Sequence, residues 1–118
     1  MSLYSNLIAQ WKFNNNLLET KGNHDGSWTG GSGAETYSFG VNGDLDSSLN
    51  LIGVSDNVLI DDDTRLQLEE LSISFWIRPN VLTNGDTFVY YAGIGGSGGS
   101  EDGWSVYYAN NYIRFNVG

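Results

Sequence analysis

The run LSISFWIRP at residues 71–79 places Leu71, Ile73, Phe75 and Ile77 on one side of an extended chain and Ser72, Ser74, Trp76 and Arg78 on the other. A period of two is the mark of a half-buried strand, and proline, lacking an amide proton, stops a ladder. The pattern predicts a strand over 71–78 ended by Pro79. Shorter runs of the same kind predict strands over 7–13, where Leu7, Ala9, Trp11 and Phe13 oppose Gln10 and Lys12, and over 27–29, 35–39, 47–52, 57–60, 87–92, 104–108 and 112–117. Turn chemistry separates them: glycines at 22 and 26, the Asn42-Gly43 pair within Val41-Asn42-Gly43-Asp44, a glycine-rich stretch over 93–103, and Ala109-Asn110-Asn111, which predicts a hairpin. No stretch carries the spacing of a long helix. Many short strands with turns between them predict an all-β chain, an antiparallel sandwich or barrel, organised as a single domain over 1–118.

Composition narrows what such a chain can do. Of its 118 residues 40% are hydrophobic and 14% aromatic, enough for one core and far from a disordered composition. Five basic residues against 14 acidic ones leave a net charge of -9, which repels a polyanion and argues against nucleic acid as a partner. With no cysteine there is no disulfide, no thiolate metal site and no thiol nucleophile. The opening MSLYSNLIAQWKF has neither the basic nor the long apolar segment of a secretory signal, and no run is long enough to span a bilayer. These features predict a soluble chain without an address of its own and without membrane insertion.

Several motifs invite a chemical reading and fail on context. Gly93-Ile94-Gly95-Gly96-Ser97-Gly98 has the G-x-G-x-x-G spacing. Dinucleotide binding requires a helix N-terminus next, and a strand is expected instead. Asp61-Asp62-Asp63 begins an acidic stretch with Leu66 where a calcium loop of the EF-hand type needs glycine and Ser72 where it needs glutamate, so it reads as a solvated loop. His24 is the lone histidine, which removes any multi-histidine metal centre and leaves a catalytic triad without support. No strand carries two carboxylates at i, i+2, the spacing that would aim an acid and a base from one strand into a groove. Trp28, Trp104, Tyr107 and Tyr112 are candidate platforms for stacking a sugar ring, with burial in a core as the competing reading for each.

Taken in order, LIAQWKFNNNLLETKGNHDGSWTGG, SLNLIGVSDNVLI, LSISFWIRP, TFVYYAGIGG and GWSVYYANNYIRFNVG resemble the laminin G-like domains of the concanavalin A-like lectin/glucanase superfamily. The likeness spans roughly residues 7–118 and includes a Trp11-Lys12-Phe13 opening strand, a Gly-Asn-x-Asp-Gly run at 22–26 and a Phe75-Trp76-Ile77-Arg78-Pro79 strand. It implies an antiparallel jelly-roll sandwich. The Glu-x-Asp catalytic motif of the glucanase members is missing, so the resemblance carries no enzymatic activity. The closing strands of the family fold are also missing, which predicts a fragment, completion by another chain, or abbreviated closure.

The resemblance further implies calcium at a rim of the sandwich, with Asn23, Asp25, Asp44, Asp46 and Asp61 as the candidate ligands, because hard oxygen donors suit that ion. The function expected is non-catalytic recognition of a glycan or a surface protein, at an extracellular, cell or virion surface. A structural or assembly role, as a homo-oligomer or part of a larger particle, is the alternative.

Overall fold

The structure is a computed structural model, and it describes residues 3–21, 24–31, 33–53, 55–61, 64, 66, 70–92 and 103–117. The chain divides into two compact units, Met1–Ser72 and Ile73–Gly118. The described strands all pair antiparallel, and the described helix is a single short 3-10 turn at Leu3–Asn6. The all-β expectation holds at this level. No helix among the described residues is long and apolar enough to cross a membrane.

In the first unit β1 (Gly26–Thr29) pairs with β4 (Asn57–Ile60), setting Trp28 across from Val58. Its second ladder joins β2 (Thr36–Ser38) to β3 (Ser48–Asn50). The reversal between them is the three-residue form: Gly43 N donates to Gly40 O and Gly40 N to Asp44 O, both at 3.0 Å, and Gly43 takes φ 82°. Glycine suits that left-handed position because it has no Cβ to clash. Beyond it Asp46, at φ 52°, turns the chain again before β3, and the strands expected over 35–39 and 47–52 are three residues each.

The strand expected over 7–13 is reduced to one bridge, Trp11 to Glu19. Phe13 takes φ 54°, and left-handed backbone ends an extended run two residues past the bridge. Polar groups hold this region together. Glu19, 8% exposed, accepts from Gln10 N and Lys21 N at 2.7 Å each, and Trp11 Nε1 donates to the carbonyl of His24 at 2.8 Å. His24 is 4% exposed, and Leu17 lies buried in the same segment.

The second unit is a three-stranded sheet in the order β5 (Thr87–Ala92), β6 (Gly103–Ala109), β7 (Tyr112–Val117), with Val106 buried on the central strand. Asn110 and Asn111 take φ 53° and 68° between paired Ala109 and Tyr112, the signature of a two-residue type I′ turn. Asparagine enters left-handed space more readily than most residues, which is why an Asn-Asn pair can close this hairpin. A bulge at Phe88 shifts the β5 register between Thr87 and Val89.

Residues 71–78 form no ladder, contrary to the alternation. The alternation survives in orientation: Leu71 and Ile73 are half-buried, Ser72 and Ser74 exposed, and Trp76 is 81% exposed between Phe75 at 42% and Ile77 at 43%. Phe75 meets Phe88 with ring centroids 6.4 Å apart. Side-chain alternation needs only an extended backbone, whereas a ladder needs a neighbouring strand, and among the described residues none pairs with this run. The glycine-rich stretch expected at 93–103 lies outside the described residues up to 102, and Gly103 opens β6.

Replacing Glu19 with alanine leaves two backbone amides without their charged acceptor, and urea denaturation should register a loss of about 2–4 kcal/mol; an unchanged midpoint would show that the carboxylate is dispensable. Burial pushes the Tyr37 hydroxyl above its usual range, with Glu35 adding to the rise, and the buried Oη has no hydrogen-bond partner among the described residues. A raised folded pKa means stability is complete below the unfolded value and is lost as pH climbs through the folded one. Tyr37→Phe should therefore be neutral or stabilising at pH 7 and should flatten the alkaline fall in stability followed by thermal melts.

Candidate functional site

The sheet of the second unit sorts the candidate aromatics by face, because cross-strand partners share a face and neighbours along a strand alternate. Trp104 pairs with Val117, Val106 with Phe115 and Tyr108 with Ile113, so Trp104, Val106, Tyr108, Ile113 and Phe115 occupy one face. This is the apolar side. Tyr107 pairs with Arg114, Ala109 with Tyr112 and Ser105 with Asn116, which brings Tyr107, Tyr112, Arg114, Ser105 and Asn116 to the opposite side. Thr87, across from Tyr107, extends that polar face onto β5.

Of the four aromatic candidates, the structure thus joins Tyr107 and Tyr112, diagonal neighbours across the β6–β7 ladder. Tyr112 is 67% exposed, Tyr107 is half-buried and Arg114 is exposed. A flat ring beside a guanidinium and a carboxamide can stack an apolar surface while donating to hydroxyl or carbonyl oxygens at its edge. Trp104 is on the other face. Trp28 belongs to the first unit, where its Nε1 donates to Gly33 O at 2.7 Å and its ring packs against Gly30, leaving it half-buried. Arg114 and Asn116 were not singled out from the sequence. The signal that finds them is the Asn110-Asn111 turn, which sets the register once it is read as a two-residue loop.

The described candidate calcium ligands come from three segments of the first unit. Asp25 Oδ1 accepts from Glu19 N at 2.8 Å, so one oxygen is engaged in holding the loop. Asp44 and Asp46 lie in the β2–β3 connection, where their backbone carbonyls accept from Gly40 N and Asn15 N. Asp61 follows β4 and is exposed, and Asn23 lies outside the described residues. Among the described residues no three histidine, aspartate or glutamate side chains come together in a way that could hold a metal ion.

His24 presents its backbone carbonyl to Trp11, a packing role for the loop. Comparison with protein-family models, with curated proteins and with solved structures found no match for the chain.

Proposed function

We propose that the protein is a non-catalytic binding module that recognises carbohydrate or a surface protein partner through the Tyr107–Tyr112–Arg114 face of the β5–β6–β7 sheet. The observation that supports it is the joining of two tyrosines, an arginine and an asparagine on one side of a regular ladder, with Tyr112 largely exposed. The finer fold in this reading is the antiparallel jelly-roll sandwich of laminin G-like domains, one domain over 1–118 acting at an extracellular, cell or virion surface. Its support is the sequence resemblance together with the antiparallel strands. The missing Glu-x-Asp motif supports the non-catalytic part.

Screening the protein on a glycan array should return binders. Tyr112→Ala should then weaken the best of them roughly 5- to 10-fold, the loss expected of one exposed aromatic anchor. Silence across the array, or binding indifferent to Tyr112, would remove the carbohydrate reading. Calcium belongs to the same proposal, with Asp44, Asp46, Asp25, Asp61 and Asn23 as candidates. A site present only in the folded chain raises the melting temperature with ligand concentration. Millimolar calcium should raise it here, and an unmoved transition would strike calcium from the reading.

A second reading, a structural or assembly protein, draws on a different observation. Trp76 and Val81 are 81% and 79% exposed, and large apolar side chains left in solvent suit contact with another protein surface.

A further inference from the structure

We propose that β7 is an association edge for a second copy of this chain, the two β7 strands pairing antiparallel about a two-fold axis at Phe115. Gly85 N donates to Tyr108 O and Tyr108 N donates to Asp86 O, both at 2.8 Å, so Tyr108 turns its backbone polar groups toward the β5 side. Alternation then directs those of Tyr107 and Ala109 toward β7, where Arg114 and Tyr112 receive them. By the same alternation Ile113, Phe115 and Val117 point their amides and carbonyls away from β6, to the side where no strand among the described residues pairs with β7. A row of outward groups is a template for another strand.

Charge permits the contact and the side-chain pattern chooses its register. Residues 103–117 contain no carboxylate and include Arg114, within a chain of net charge -9, so two copies of this hairpin can meet without setting carboxylate against carboxylate. Two axes align outward groups while keeping five of the six β7 residues paired. An axis at Arg114 sets its guanidinium directly against its own copy, and like charges directly opposite destabilise a ladder. An axis at Phe115 instead sets Phe115 against Phe115, position 113 against 117, and Arg114 against Asn116 of the second copy. Ile113 and Phe115 are 62% and 54% exposed, so this register covers apolar surface that one copy leaves in water. The axis stands perpendicular to the sheet and brings both Tyr107–Tyr112–Arg114 faces to one side. Only that last consequence bears on the binding function; the association does not depend on it.

The test is sedimentation velocity of the full chain across a concentration series, with two variants. Wild type should show a reversible monomer–dimer equilibrium. Phe115→Pro deletes one outward amide and none of the β6–β7 hydrogen bonds, a substitution edge strands tolerate; it should be monomeric with an unchanged far-ultraviolet circular dichroism spectrum. Asn116→Asp places a carboxylate across from each Arg114 and should tighten the dimer roughly 2- to 10-fold at low salt, the gain shrinking as salt is added. If Phe115→Pro unfolds the hairpin, Asn116→Asp still decides. A wild type that stays monomeric throughout, or a dimer whose affinity Asn116→Asp leaves unchanged, overturns the proposal.

Discussion

The two-residue turn at Asn110-Asn111 governs what the second unit can do. Left-handed backbone at both positions closes the hairpin on Ala109 and Tyr112, and every later pairing between β6 and β7 follows by counting. A slip of one residue would exchange the faces, moving Tyr112 and Arg114 to the side of Val106 and sending Ile113 and Phe115 to the polar side. It would also exchange the backbone groups that face β6 with those that face outward. The composition of the proposed binding face and the chemistry of the β7 edge therefore have one local cause.

The first unit depends on polar contacts more than on a large apolar core. Among its described residues Glu19 and His24 are the most buried polar ones, and Leu17, two residues before Glu19, is buried as well. One carboxylate collects amides from Gln10 and Lys21, and Asp25 in turn accepts from the Glu19 amide. Buried charge is tolerated when hydrogen bonds replace the lost water, and the Glu19 carboxylate meets that condition. The Asn-rich and Gly-rich stretch after Trp11, which on paper resembles a ligand site, thus serves first to turn the chain and to satisfy its own buried groups.

The strands that were legible in the sequence are those with both a period of two and a hairpin or ladder partner close in register. Residues 57–60, 87–92 and 112–117 form strands at the expected bounds. The strongest alternation, over 71–78, sets the exposure of its side chains but not a ladder, because periodicity describes one chain and pairing requires two. The run at 7–13 keeps a single bridge and ends at the left-handed Phe13, which no propensity pattern announces. At the candidate site Tyr107 and Tyr112 could be named from residue type alone. Arg114 could not, since it becomes a neighbour of Tyr107 only through the register, and the same register sends Trp104, alike in residue type, to the other face.

Amide hydrogen exchange across β7, followed residue by residue by NMR in dilute solution, tests this register most directly. The hairpin predicts alternation: slow exchange at Tyr112, Arg114 and Asn116, whose amides face β6, and fast exchange at Ile113 and Phe115, whose amides face outward. Protection at Ile113 and Phe115 with fast exchange at Arg114 would contradict it. That result would reverse the faces and the edge together.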